Sequence, residues 1–600
     1  MSSVRRPPKP DFNFAVGITG HRPPVIHDER SIAEKAQLKF VLGELARGAS
    51  LIAADQQDYF AETLFVPRLV SPLAEGADQL AAEIALDLGY CLHAVLPFSR
   101  EDYCQDFSAA GVDNMNRLLH RAGAILELPH QHHRRDEAYS LAGRATVAHC
   151  DILIALWDGE PARGPGGTAE TVALALRHGV PVIHIQVGEQ SHGRILWTGY
   201  GEFVDPDDLE ALPTRALTAS ELTGLVGAIL GPPTDPGAQA DLKTYLGERE
   251  RRVRTRVEYP LLLATLGVKR ITRFAFRTAP YGESTRAEWG PFHEACGSGR
   301  HGVRVEMGGM EEAFAWADHL AQHFAQTYRS GNVLNFSLAG LAVLLALTGL
   351  LLPQFHFWLA LGEPLAIALF VLNTFVGGKS QWHRRWLEYR QLAERIRPMR
   401  SLKLLGAAAP PSRGVMSAKG EANWVEWYAR AQWRAAGTPA GCVTDVGALF
   451  AAIVAEEIEP QIRYHRSAAH QMHRLDHRLH ALGMFLFIVS ILGCVASVLT
   501  GLIAPNFAHD HAMASVALSA GLPAVGAAIF GIRMQGDFSG TAERSLITAD
   551  ELDRIVRTLN SPRLRLARRL DLIEAAAATM LSELGEWRRD YQRRKLELPG

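Results

Sequence analysis

Three glycine-rich segments in the N-terminal part of this chain carry the residue types that bind phosphate groups. They read GITGHR at residues 17–22, LAEGAD at residues 73–78 and GPGGTAE at residues 164–170. Glycines let a ligand approach the backbone closely, and the first amides of a helix attract anions. Any one segment could equally be an ordinary tight turn. Together they predict a site for a nucleotide or nucleotide-derived ligand, formed by Gly20, His21, Arg22, Glu75, Gly76, Asp78, Asp158, Gly164, Gly166, Gly167 and Thr168.

Four of these side chains have distinct expected roles. Arg22 and His21 are the best partners for a phosphate, because a guanidinium beside a glycine turn can donate two hydrogen bonds to one group. Asp78 and Asp158 suit ribose hydroxyls, as acidic residues near strand ends do in dinucleotide sites. The alternatives are a solvated loop for Arg22 and His21, a helix cap for Asp78 and a turn for Asp158.

The elements that must position these residues follow a strand–helix alternation. Apolar, β-branched runs predict strands at residues 14–19, 68–72, 92–97, 124–128, 152–157 and 180–185. The stretches between them predict helices at residues 31–47, 76–88, 100–120, 136–148 and 168–178. This order is typical of an α/β domain with a mostly parallel sheet, in which ligands bind at the carboxyl ends of the strands.

The glycine-rich segments resemble the SLOG superfamily, the Rossmann-like group named for the Smf/DprA and LOG proteins, over about residues 12–187. The resemblance implies a nucleotide-binding fold. LOG-type members are phosphoribohydrolases with the signature PGGxGTxxE and a helix-borne arginine upstream, and by that likeness Glu170 and Arg144 would be the catalytic pair. This chain reads PGGTAE, which places Glu170 two rather than three positions after Thr168. One position turns a helical side chain by about 100°, so the departure favours binding over catalysis.

Four apolar runs predict an all-α membrane region of two transmembrane hairpins. The expected spans cover about residues 333–352, 358–376, 481–504 and 512–532, lengths that match a bilayer core. Glu363 and Pro364 interrupt the second run, so its first part is expected at the interface, near Trp358. Basic residues follow span two and precede span three, whereas the turns within the hairpins lack Lys and Arg. The positive-inside rule therefore predicts a multi-pass protein of the inner (plasma) membrane with both termini cytoplasmic.

The composition of the chain argues against several other classes of protein. The net charge of −2 and a pI near 6.9 give no bulk attraction to nucleic acid, so no nucleic-acid partner is expected. The 6 cysteines form no CxxC pair, which indicates reduced thiols rather than a zinc site. The histidines near residues 130–133 and 509–511 are more typical of solvated loops than of metal ligands. We expect no metal, no cofactor besides the nucleotide-derived ligand, and no cleaved secretory signal.

The helical half resembles SLATT domains, two-span modules found with SLOG domains and nucleotide second-messenger systems in bacterial conflict and antiphage loci. Such modules are thought to form pores or perturb membranes. Residues 381–397, basic and tryptophan-rich, complete one such unit, and residues 465–557 fit a second. The expected organisation is a SLOG-like domain (12–230), a connector (231–309), a first hairpin unit (310–400), a cytosolic linker and helix (401–460), and a second hairpin unit with C-terminal helices (461–595).

Three functions are compatible with this organisation. The first is a membrane-anchored sensor-effector that binds a nucleotide-derived ligand and alters membrane integrity or conductance in antiphage or conflict signalling, as a homo-oligomer. The second is a membrane-tethered nucleotide N-glycosidase, and the third is a non-enzymatic membrane scaffold. Within the spans, Asn335 and Asn373 indicate either a water path or a hydrogen bond between helices, and the small residues at 493, 497, 501, 515 and 519 favour close helix packing.

Overall fold

A computed structural model of the chain describes residues 5–22, 32–129, 134–161, 166–187, 193–197, 212–297, 299–410 and 423–592. Within these ranges ten strands form one sheet. They are β1 (Ala15–Gly20), β2 (Arg68–Ser71), β3 (Cys91–Leu96), β4 (Ala124–Glu127), β5 (Ile152–Trp157), β6 (Val182–Gln186), β7 (Gly193–Leu196), β8 (Thr214–Ala216), β9 (Val303–Arg304) and β10 (Ala440–Cys442).

The centre of the sheet is parallel, as predicted, and its strand order is β8-β7-β6-β5-β1-β2-β3-β4-β10-β9. From β1 the chain adds β2, β3 and β4 on one side and then crosses to β5 on the other side of β1. This reversal creates a crevice at the carboxyl ends of β1 and β5, the place where open α/β sheets bind ligands. The six predicted strands match β1 to β6, and β7 and β8 extend the sheet as an antiparallel edge.

The parallel strands are covered on both faces. Every residue of β5 is buried, and since successive strand residues point to opposite faces, both faces of the sheet are shielded there by helices. The helices of this part are α1 (Ile32–Asp55), α2 (Ala77–Asp87), α3 (Arg100–Tyr103), α4 (Ala109–His120), α5 (Arg135–His149), α6 (Thr168–Arg177) and α7 (Ala219–Leu230). α1 packs against α7, and α5 packs against α6.

The remaining helices follow in chain order. They are α8 (Pro236–Leu246), α9 (Glu258–Thr265), α10 (Tyr281–Cys296), α11 (Gly308–Leu351), α12 (His356–Lys379), α13 (Trp382–Ile396), α14 (Met399–Leu405), α15 (Trp424–Ala435), α16 (Val446–Ile453), α17 (Glu459–Ile503), α18 (Pro505–Asp510), α19 (Ala512–Gly536), α20 (Phe538–Leu559) and α21 (Leu566–Gln592). Residues 248–256, within the expected connector, form no helix and run as an irregular chain into α9.

The segments expected to be a connector and a linker are built into the sheet. β10 pairs in parallel with β4, and β9 pairs antiparallel with β10. The indoles of Trp427 and Trp433, on α15, donate to the carbonyl oxygens of Leu230 and Ala148 at 3.0 Å each. Residues of the N-terminal sheet and of α15 therefore share one continuous hydrophobic core.

Among the described residues, four helical segments, containing α11, α12, α17 and α19, are long and apolar enough to cross a membrane. α11 has 44 residues and α17 has 45, about 66 Å each, which exceeds a bilayer core of about 30 Å. Each long helix therefore has room for packing outside a span: α11 also packs on α9, α10, α13 and α15, and α17 also packs on α20. Pro364 lies inside α12, so the second apolar run forms one continuous helix.

The membrane region repeats one architecture. In each unit a long helix (α11 or α17) and a second helix (α12 or α19) form a hairpin, and a third helix (α13 or α20) folds back onto the long one. The residue that precedes the third helix is left-handed in both units, Gln381 with φ 51° before α13 and Asp537 with φ 44° before α20. Both units thus turn from the second helix into the third through the same backbone conformation.

Polar and small residues join the spans. Asn373 Nδ2 donates to Asn335 Oδ1 at 2.7 Å, so these residues form the interhelical hydrogen bond that was one of their two interpretations. The Ser515 hydroxyl donates to that of Ser497 at 2.6 Å, and α19 also packs on α11. The four helices therefore associate as one bundle through close contacts.

Candidate functional site

A cavity of about 330 Å³ opens at the carboxyl edge of the sheet where β1 and β5 end. It brings together residues from all three glycine-rich segments. Glu75 and Gly76 are not among its lining residues, and Gly164 lies outside the described residues. The expected ligand-binding residues that line it are Gly20, His21, Arg22, Asp78, Asp158, Gly166, Gly167 and Thr168.

His21 joins three elements at the base of this cavity. Its Nε2 atom accepts from the backbone N of Asp158 at 3.1 Å and lies 3.0 Å from Asp158 Oδ1. Its backbone N donates to Leu156 O on β5 at 3.1 Å, and its carbonyl oxygen accepts from Ala77 N at 3.2 Å. His21 therefore ties the end of β1 to β5 and to the start of α2, in addition to facing the cavity.

Gly20 permits the close approach of α2 to β1. A Cβ atom at this position would lie 2.4 Å from Ala77 Cβ and 2.9 Å from Leu156 O. Both distances are well below van der Waals contact, so a side chain would force α2 away from the strand. Glycine at position 20 thus brings the first turn of α2, with Asp78, to the cavity.

Asp78 is a buried carboxyl group at the N-terminal end of α2. Its Oδ2 atom accepts from the backbone N of Ala74 at 3.2 Å. Burial raises the pKa of Asp78 to about 7, although the Ala74 amide and the charge of Arg22 act in the opposite direction. Near neutral pH this carboxyl group exists in both protonation states, so it can either donate to a ligand oxygen or accept from a hydroxyl.

Tyrosines that the sequence did not single out form an aromatic wall of the cavity. The Arg22 guanidinium lies over the Tyr139 ring, 4.6 Å from its centroid, and Tyr103 lines the same wall. The Tyr139 hydroxyl also contacts Asp106. A guanidinium stacked on a ring keeps its donor edge available, which suits a phosphate or a nucleobase. Aromatic residues in helical stretches usually indicate core packing, so no local signal marked these two.

The N-terminus of α6 faces the same cavity. Gly166 has a positive φ of 78°, Gly167 caps the helix, and Thr168 begins it. Gly166, Gly167, Thr168 and Ala169 all line the cavity. The unpaired amides and dipole at this end favour an anionic group, and the threonine hydroxyl offers a further hydrogen bond.

Glu170 and Arg144, the pair implied by the resemblance to phosphoribohydrolases, have other partners and are not among the cavity-lining residues. Glu170 accepts from Ser140 Oγ at 2.7 Å and from Gly166 N at 2.5 Å, so it holds the loop before α6. Arg144 donates to Asp571 at 2.6 Å and pairs with Glu574 at 2.8 Å on α21.

Glu75, expected at the ligand, supports α4 instead. Its carboxylate accepts from the backbone N of Ser108 at 3.0 Å and from the Ser108 hydroxyl at 2.5 Å. Ser108 is the N-cap of α4, so Glu75 links the turn before α2 to the start of α4. The histidines at 130, 132 and 133 lie outside the described residues.

Comparison with known proteins finds no family model that matches this chain and no curated protein that matches it. The geometry of the chain therefore carries the functional argument: a cavity at the switch point of a parallel sheet, lined by a stacked arginine, a helix N-terminus and a buried carboxyl group, in a chain with four helices able to span a membrane.

Proposed function

We propose that this chain is a membrane-embedded receptor that binds a nucleotide-derived anion at the sheet edge and passes the binding signal to its transmembrane hairpins. The signal alters membrane integrity or conductance, in the setting of bacterial antiphage or conflict signalling. The α/β part and both termini lie on the cytoplasmic side of the inner membrane, and the protein acts as a homo-oligomer.

The observation that carries this proposal is the position of α5. Tyr139, Ala142 and Gly143 on this helix line the cavity, and Arg144 on the same helix pairs with Asp571 and Glu574 of α21. A ligand that shifts α5 therefore acts directly on α21. Arg144 is held on the far side of the helix from the ligand, which suits a coupling role better than a catalytic one.

α21 in turn contacts both membrane units. It packs against α13, which folds onto the long helix α11, and against α20, which folds onto α17. A displacement of α21 would thus reach the first span of each hairpin through one further helix. Coupling of this kind requires the ligand to bind two arrangements of these helices with different affinity.

The chemistry of the cavity supports a nucleotide-derived anion over other ligands. Arg22 and the α6 N-terminus provide positive potential for a phosphate, and Asp78 provides a partner for a sugar hydroxyl. The partly exposed Tyr139, with the Arg22 guanidinium over its ring, provides a planar wall for a base.

The test is calorimetry of the full chain in nanodiscs against mononucleotides, ADP-ribose and cyclic dinucleotides, followed by chromatography of the recovered ligand. The experiment uses the full chain because α15 packs on the N-terminal part, where its tryptophans donate to the carbonyl oxygens of Leu230 and Ala148. An N-terminal fragment would lack α15 and expose this surface. Tight binding with intact ligand, together with ligand-dependent leakage of vesicles that contain the protein, is the expected result. Recovery of free base would replace the proposal with the N-glycosidase, and binding without leakage would favour the scaffold.

A matched pair of variants locates the site. Arg22→Gln removes the cation that faces the cavity and should weaken binding about 10- to 100-fold, the usual value of a charge-assisted hydrogen bond. Arg135→Gln is the control, because Arg135 lies over the Phe98 ring and pairs with Asp106 without lining the cavity. Equal losses in both variants would place the ligand elsewhere.

A further inference from the structure

A second and larger cavity, of about 730 Å³, lies between the two membrane units on the side of the α/β part. Its walls come from α11, α13, α17 and α20, together with the segment at residues 269–279. On α11, Arg329 precedes Val333, the start of the first span, by about one helical turn. On α17, Met472 precedes Ala481 by about 13 Å. The cavity therefore lies at the depth where lipid headgroups meet the protein.

The lining of this cavity is strongly basic. In the part of the chain that the structure describes, its charged lining residues are five cations and one carboxylate, Glu394, which is already paired with Arg390. Asp318 pairs with Arg390 as well, at 3.5 Å. The lining cations that form no ion pair with a carboxylate of the described residues are Arg254, Lys269, Arg270 and Arg329, although the charge of Asp318 also acts on Arg254.

Two of these arginines are arranged to receive an anion. The Arg329 guanidinium contacts two aromatic rings, 4.9 Å from the centroid of Trp386 and 5.5 Å from that of Tyr259. Arg254 donates through Nη1 to Gln326 Oε1 at 2.7 Å and to Phe274 O at 3.3 Å, and its buried Nε atom has no acceptor among the described residues. Burial acts to lower the pKa of Arg254, so an anion beside it would offset the cost of its desolvation.

The segment beside the cavity has the character of a membrane-interface segment. Ile271, Phe274 and Phe276 expose 42%, 49% and 49% of their surface, and basic residues alternate with them. Gln326 of α11 fixes the segment in place by donating to the carbonyl oxygen of Ala275 at 2.8 Å. Exposed aromatic groups next to cations are typical of segments that rest in the headgroup layer.

We propose that this cavity binds the phosphate-bearing headgroup of an anionic phospholipid from the adjacent leaflet. The exposed apolar side chains of residues 271–276 enter the acyl boundary, while Arg254, Arg270 and Arg329 hold the phosphate. This site is separate from the sheet-edge cavity and stands without it. Its occupancy would tie the two hairpin units together at their membrane entrance.

The test compares the thermal stability of the full chain in phosphatidylcholine nanodiscs with and without phosphatidylglycerol, and measures copurified phospholipid by native mass spectrometry. Phosphatidylglycerol should raise Tm and be retained in preference to phosphatidylcholine. Inorganic phosphate, added to phosphatidylcholine nanodiscs, distinguishes a free anion from a lipid. If it produced the same shift in Tm, the lipid proposal would be overturned in favour of a soluble phosphate site.

Three variants decide whether the cavity or the general surface charge causes the preferential retention of phosphatidylglycerol. Arg329→Gln should lower phosphatidylglycerol retention about fivefold, the effect of one basic residue near an anionic surface. Arg270→Gln tests the same cavity with an exposed side chain, should Arg329→Gln fail to fold. Arg277→Gln is the matched control, because Arg277 is exposed on the same segment but does not line the cavity. An equal loss in Arg277→Gln, or no lipid preference in the unmodified chain, would refute the site.

Discussion

Arg144 donates to Asp571 at 2.6 Å across 427 positions of sequence, and this bond joins the helix that lines the sheet-edge cavity to the C-terminal helix. The same guanidinium pairs with Glu574, whose carboxylate also accepts from the backbone N of Ala409 at 2.7 Å. The cavity-lining helix α5, the segment after α14 and α21 therefore meet at one ionic junction.

Arg144→Gln should uncouple ligand binding from the membrane response. The substitution removes both ion pairs to α21 but no cavity-lining group, so nucleotide affinity should change less than about threefold, whereas ligand-dependent vesicle leakage should fall at least about tenfold. Calorimetry and a dye-release assay on the same preparation measure the two effects. Arg557→Gln, which breaks an exposed pair with Asp553, serves as the control. Unchanged leakage in Arg144→Gln would show that α21 does not carry the signal.

Asp78 should make ligand affinity depend on pH near neutrality. Burial raises its pKa to about 7, so the carboxyl group becomes charged as pH rises through 7 and then repels an anionic ligand. Affinity for a phosphodiester, whose own charge is constant in this range, should therefore fall between about pH 6 and pH 8. Asp78→Asn should keep the Ala74 hydrogen bond and bind with a nearly flat pH profile. A profile that falls equally in both proteins would assign the titration to another group.

The same carboxyl group should also affect folding. Its pKa in the folded chain is raised above its ordinary value of 3.8, so the folded state holds the proton more tightly than the unfolded state. Its contribution to stability is therefore fully present below pH 3.8 and is lost as pH rises to about 7. Asp78→Asn should consequently stabilise the chain more at pH 8 than at pH 5, which paired denaturant titrations would show.

Replacing each of two glycines by alanine should change the stability of the chain in opposite directions. Gly20→Ala places a Cβ atom 2.4 Å from Ala77 Cβ and should destabilise the chain by about 1–3 kcal/mol. Gly43, within α1, has open space around the same position, so Gly43→Ala should stabilise by up to about 1 kcal/mol through helix propensity. Thermal unfolding of the two variants measures both. A stable Gly20→Ala protein would mean that α2 can move away from β1 at little cost.

The buried ion pair between Arg400 and Glu457 should be needed for the central helices to pack. Arg400 Nε donates to Glu457 at 2.7 Å, both side chains are 2% exposed, and Ser401 donates to the same carboxylate oxygen at 2.8 Å. Glu457→Gln leaves the arginine charge buried and should cost about 3–5 kcal/mol. Glu459→Gln, which alters an exposed pair with Arg463, should change stability by less than about 1 kcal/mol. Similar values for the two variants would contradict this assignment.

The hydrophobic pattern along the chain was sufficient to predict the strands and helices that depend on local sequence. β1 to β6 are continuous apolar runs, and their bounds were predicted to within a few residues. The four predicted spans are long stretches with few charges, and each falls in a helical segment long and apolar enough to cross a membrane. β9 and β10 have two and three residues, and no local pattern marks them. They exist because β4 offers an open edge, to which distant segments of the chain add.

The candidate site likewise has features that the sequence predicted and features that only the tertiary structure decided. Glycine-rich turns after strands indicated the sheet edge, because the carboxyl ends of parallel strands always meet there. The partners of Glu170, Arg144 and Glu75 were decided by tertiary structure, since each side chain binds a group that only packing brings near it. The pKa of Asp78 and the basic cavity between the hairpin units were decided there as well, because desolvation and the clustering of cations arise from the packing of separate helices and are not properties of any one segment.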